Sequence, residues 1–213
     1  MKRLFLFLAA GFIALSGNAQ IDKTQLSLDV SKTNEQNIKL LSTYTWKRSI
    51  EGFVEGDQVF LSLSSATVGP DGKPVYQVIE KSGSSLKKSS KKQAQAAENI
   101  KNAVNLVSKY IFISTGQLVD LFNKGTLSIL NADLNAEAFD FFSKGDHIKF
   151  TFDKESLQYK TQQISTLLNG EPVKATVTYK FVDDVNTVDK VVLEMPAKKI
   201  KANMINTEYA KKL

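Results

Sequence analysis

The sequence predicts an α+β domain: a large curved antiparallel sheet, an open and unclosed β-barrel, with helices covering its concave apolar face. Three observations point there. Strand-length segments alternate apolar and polar residues with a period of two, so each strand has one face to bury and one to wet. Short turns rich in Gly and Asp separate them, Asn169-Gly170 being the strongest. One stretch of helical period, starting at Gln93, splits about eight or nine strands into a group of three and a group of five or six. Three strands are too few to close by themselves, so both groups are expected in one sheet that wraps the helical insert.

The N-terminus comes first and carries an address. Lys2 and Arg3 precede an apolar run from Leu4 to Leu15, and Gly17-Asn18-Ala19 offers small residues at the positions a signal peptidase reads. Residues 1–19 therefore read as a cleaved secretory signal, cut before Gln20, and residues 20–213 as a single domain. The apolar run is short of the ~20 residues a spanning helix needs. With no cysteine after the signal there is no site for a lipoprotein's lipid, so the expected location is the periplasm, soluble and untethered. No later apolar run approaches spanning length, so the mature chain is expected to carry no transmembrane segment.

Within the domain, Ser31 reads as the N-cap of a short helix from Lys32 to about Ser42, with Ile38, Leu40 and Leu41 on its apolar side. Tyr44, Trp46, Ile50 and Val54 then share one strand face, which Arg48 interrupts. Glu55-Gly56-Asp57 turns the chain into a strand holding Val59, Leu61 and Leu63 together. Pro70-Asp71-Gly72-Lys73 is a second turn and Val75 to Glu80 a third strand. The segment Lys81 to Lys92, mostly Ser and Lys, reads as a mobile surface loop. Ala97, Ile100, Val104, Val107 and Ile111 make a helical stripe that breaks near Ile111-Phe112-Ile113 and Gly116. A second helix takes Leu118, Val119, Leu121 and Phe122 and ends at Gly125. Thr126 to Leu130 is a short strand, and Ala136 to Phe142 reads as a helical turn bringing Phe139 and Phe142 inward. His147 to Asp153, Leu157 to Leu168, Val173 to Phe181, a strand with Val191, Leu193 and Met195, and Lys198 to Asn206 complete the set.

Composition excludes more than it selects. The net charge of +6 falls to +4 once Lys2 and Arg3 leave with the signal, an excess of lysine too small to demand an acidic partner. The absence of cysteine excludes disulfides and thiolate metal sites. A lone histidine, His147, sits on the polar parity of its strand, and no Gly-x-Ser-x-Gly elbow accompanies it, so no triad is in view. Asp183, Asp184 and Asp189 read as turn chemistry rather than a calcium site. Aromatics lie on the apolar parity, away from the lysines, which argues against nucleic acid. No cofactor and no metal are expected, and the chain does not read as an enzyme.

The order Tyr44-Thr45-Trp46-Lys47-Arg48, the Asp71-Gly72-Lys73 turn, a lysine-rich loop, a helix ending near Leu121, Lys144-Gly145-Asp146 and the closing Leu193-Glu194-Met195-Pro196-Ala197-Lys198-Lys199 resembles an exported bacterial family of unknown function. In architecture that family is similar to the periplasmic lipoprotein carrier LolA. The resemblance runs from about Tyr44 to the C-terminus and implies an unclosed barrel whose concave face holds acyl chains. It brings no catalytic residues.

The apolar face is the candidate site. Trp46, Ile50, Leu61, Leu63, Phe150, Phe152, Val177, Tyr179, Phe181 and Leu193, with Met204, are expected to line a concavity that binds a lipid or lipoprotein acyl chain by burial, at about 0.8 kcal/mol per CH₂. The alternative is a filled core and an adaptor that captures a protein partner through a sheet edge or the lysine loop. Sequence leaves the ligand and the oligomeric state open.

Overall fold

The computed structural model describes residues 22–82 and 91–212. The expected signal peptide, and most of the expected Lys81 to Lys92 loop, lie outside the described residues. The order of elements is α1 (Lys23–Leu41), β1 (Tyr44–Val54), β2 (Asp57–Val68), β3 (Pro74–Ser82), α2 (Lys91–Ile111), α3 (Thr115–Lys124), β4 (Thr126–Leu130), β5 (Asp133–Phe139), β6 (His147–Asp153), β7 (Tyr159–Leu168), β8 (Glu171–Val182), β9 (Val185–Met195) and β10 (Ile200–Lys211).

The ten described strands form one antiparallel sheet in the order β3-β2-β1-β10-β9-β8-β7-β6-β5-β4. The sheet is unclosed, with β3 at one edge and β4 at the other. The first hairpins build outward from β1 to β3. The helices then carry the chain across to the far edge, and a seven-strand meander returns until β10 pairs with β1, from Tyr44↔Lys211 to Val54↔Ile200. The predicted α+β open barrel is thus the observed fold.

The helices cover the apolar face. α2 packs on β1, β2, β7, β8 and β10; α3 packs on β5 and on α1, which also touches β9. Ile100, Val107, Leu118, Leu121 and Phe122 from the helices meet Phe150, Phe152, Val177, Val191, Leu193 and Met195 from the sheet in one core. Ser114 caps α3 with a capping box to Gln117, satisfying two donors that a helix start leaves open. Gly125 ends α3 as expected, but its φ is −77°, an ordinary value. Glycine is needed there because a Cβ would lie 2.4 Å from the Leu121 carbonyl oxygen and 2.7 Å from that of Glu137.

Three expectations require correction. α1 begins at Lys23, not Lys32: Asp22 caps it by accepting from the backbone of Thr24 and Gln25, while Ser31 lies inside the helix and donates to the Ser27 carbonyl. Its buried side is Ser27, Val30, Ser31, Asn34 and Asn37, so hydrophobic periodicity could not find it. Ala136 to Phe142 is no helical turn. Pairing with β4 and β6 overrides the helix-forming Ala and Glu and makes β5 a strand, leaving Phe139 70% exposed. The strands number ten rather than eight or nine, and the last runs on to Lys211.

Candidate ligand-binding cavity

One end of the concave face is left partly unfilled. A cavity of about 370 Å³ lies between α1, the Asp71–Pro74 turn, the link from α2 to α3, and the sheet from β1 to β7. This falls in the range of about 300–1,000 Å³ typical of small-molecule sites. Its walls carry the aromatic rings of Trp46, Phe112, Tyr159 and Tyr179 and the aliphatic chains of Ile38, Leu41, Ile111, Ile113 and Val188. Asn34, Asn37, Asn186, Thr187 and Asn206 add amides and a hydroxyl.

Identifiable contacts hold α1 and the sheet wall. α1 is pinned over the cavity by Asn37, whose Nδ2 donates to the Asn186 carbonyl at 2.6 Å and whose Oδ1 accepts from the Asn186 N–H at 2.8 Å. Asn186 in turn donates to the Tyr159 carbonyl at 3.0 Å. Tyr159 and Tyr179 stack at 5.1 Å, and Tyr159 also packs on Phe150 and Phe152, which joins the cavity floor to the core. Burial pushes both phenols well above their ordinary pKa, so they stay neutral. Trp46 stacks on Tyr209 at 5.7 Å, and its buried indole Nε1 meets no hydrogen-bond partner.

Behind Trp46, Phe112 and Asn206 sits Arg48, 3% exposed. Its Nε donates to Asn206 Oδ1 at 2.9 Å, and Asn206 passes a bond on to the Val188 carbonyl. The guanidinium lies 4.0 Å from the Tyr76 ring centre and 5.9 Å from that of Phe112. Desolvation pulls its pKa below the ordinary arginine value. The Tyr76 hydroxyl is pushed up to about 12, again chiefly by burial.

The expected lining residues separate into groups. Trp46 and Tyr179 reach the cavity. Phe150, Phe152, Val177 and Leu193 are fully buried in the core, Met204 is buried among them, and Ile50 packs against that core. Leu61 and Leu63 are half-buried, because the inward residues of that part of β2 are Ser62, Ser64 and Ala66. Phe181 is 58% exposed. Sequence reasoning passed over Asn37, Phe112, Tyr159, Asn186 and Asn206. Asn206 did carry a signal, since it shares the inward parity of Ile200, Ala202 and Met204.

Elsewhere the titratable groups are structural. His147 Nε2 meets Glu137 Oε1 at 2.5 Å and its ring stacks on Phe139, half-exposed on the strand face opposite Ala136 and Ala138. Asp183 accepts from the Tyr44 hydroxyl and Asp189 pairs with Lys180. Among the described residues no group of His, Cys, Asp and Glu could hold a metal ion, and no helix is long and apolar enough to cross a membrane.

No family model and no curated protein matches this chain. Solved structures do. A DUF1329 family protein from Desulfovibrio piger is similar over 90% of this chain and 94% of its own, at 11% identity and a TM-score of 0.46. A LolA superfamily protein from Nitrosomonas europaea is similar over 88% of this chain and 94% of its own, at 5% identity and a TM-score of 0.47.

Proposed function

We propose that this protein, with residues 1–19 removed and residues 20–213 acting as one unit, is a periplasmic, non-enzymatic carrier that holds an acyl chain or another apolar ligand. The observation that supports this reading is the cavity: aromatic and aliphatic walls enclose a volume that the core leaves unfilled. Each methylene moved there from water contributes about 0.8 kcal/mol. The lining residues proposed to touch the ligand are Trp46, Phe112, Tyr159 and Tyr179, with Leu41 and Ile113 along the sides.

Trp46 is the sole tryptophan and lines the cavity, so its fluorescence reports occupancy. Titration with the neutral apolar dye phenylnaphthylamine and with dodecanol is expected to give saturable one-to-one binding with a Trp46 signal. Gly116→Phe is expected to weaken both at least tenfold while leaving the fold intact. Gly116 lines the cavity, and a Cβ there meets no heavy atom nearer than 4.0 Å. Absence of saturable binding, or binding unchanged by Gly116→Phe, would sink the reading.

A further inference from the structure

Arg48 is a cation in search of a counterion. It lies on β1, the third strand from the β3 edge, where β1 pairs with β10, and it is 3% exposed. Among the described residues the polar partners of its five N–H donors are neutral, the Asn206 amide oxygen on Nε and the Tyr76 hydroxyl beside the guanidinium. Among the described residues no carboxylate pairs with it. On β10 and β9, Glu208 pairs with Lys47 and Asp189 with Lys180. An ion out of water without a partner of opposite charge is costly, and the cation–π contact with Tyr76 offsets only part of that cost.

Three of the groups around this guanidinium also line the cavity. Trp46 stands two residues before it on the same strand face, Asn206 holds its Nε, and the Phe112 ring flanks it. Phe112 belongs to the short link between α2 and α3, so its side chain can turn without breaking a helix. Arg48 itself is not part of the lining, and these three side chains are what separate the cation from the cavity. Apolar walls backed by such a cation complement an amphiphile with one chain and an acidic head, because the guanidinium fork matches a carboxylate bidentately.

We infer that the cavity takes a single-chain fatty carboxylate, its chain among the aromatic rings and its head group on Arg48 beside Asn206. This rests on the carrier reading above and names the ligand class. The head group supplies the missing anion, and the apolar walls supply the affinity.

The test compares two ligands with the same chain. Dodecanoate and dodecanol are titrated against the full mature protein, read by Trp46 fluorescence and by calorimetry. Wild type is expected to bind dodecanoate at least tenfold more tightly than dodecanol. Arg48→Met is expected to remove that preference and bring acid and alcohol to equal affinity. Arg48→Lys keeps the charge without the fork and is expected to retain part of the preference. Equal binding of acid and alcohol by wild type overturns this inference and leaves the carrier reading standing. So does a preference that persists in a folded Arg48→Met. If neither ligand binds, both fail. The wild-type comparison decides the matter even if the variants do not fold.

Discussion

Asp146 is a buried acid with an entirely structural task. Its carboxylate, 2% exposed, accepts from the backbone N–H groups of Phe141, Phe142 and Ser143 and from the Tyr110 hydroxyl. In sequence it reads as the last member of a Lys-Gly-Asp turn, and nothing there tells a buried turn acid from a wet one. Asp146→Ala strands three backbone donors. It is expected to cost about 3 kcal/mol, seen as a lowered urea midpoint, and a shift under 1 kcal/mol would show that water replaces the carboxylate. Arg48 is the opposite case. Its inward parity among Tyr44, Trp46 and Ile50 makes it legible as an anomaly, while the lack of a partner is visible only in three dimensions. Parity also placed Trp46 and Tyr179 on the inward side, where both line the cavity. It lost Leu61 and Leu63 because the register shift at Gly52/Phe53 in the β1–β2 pair adds a residue to β2, while Phe181 keeps the parity of Val177 and Tyr179 but is exposed near the end of β8. A single extra residue moves every later side chain to the other face.

At the scale of elements, strands with clean alternation and strong turns were readable almost to the residue. β1 starts at the expected Tyr44, and Asn169-Gly170 makes its hairpin with φ of 53° and 81°. The elements that went astray are those whose burial is polar or imposed from outside, α1 by its Asn and Ser face and β5 by its neighbours. The junction of α3 with β4 offers a sharp test. Gly125→Ala would drive a Cβ into two carbonyl oxygens of fixed backbone, whereas Gly52→Ala would meet the Ile100 Cδ1 tip at 2.5 Å, a side chain that can rotate. Thermal melts are expected to show Gly125→Ala losing more than about 2 kcal/mol and Gly52→Ala roughly 1. The reverse order would mean that the junction yields more easily than the α2 interface.

At the scale of the whole molecule, buried phenols set an alkaline limit. Tyr76 titrates at about 12 in the fold, and Tyr159 and Tyr179 are also raised by burial, against about 10 in an unfolded chain. The neutral form is the one buried. Its contribution is therefore complete below pH 10 and is lost as pH climbs through 12, because the unfolded chain sheds these protons first. Unfolding free energy is expected to fall steeply above pH 10, with the last tyrosinate absorbance arriving together with loss of circular dichroism. Full titration of the tyrosines near pH 10 in a still-folded protein would contradict this.

The pairing of β1 with β10 governs when the molecule can exist at all. The seam runs along nearly the whole of both strands, and its two halves come from opposite ends of the described chain. A three-stranded ribbon made early has its apolar side open to water and nothing to hold it until the last twelve-residue strand arrives. Such long-range closure makes assembly slow relative to its local hairpins. The fold thus behaves as a latch that the last of the ten described strands throws on the first.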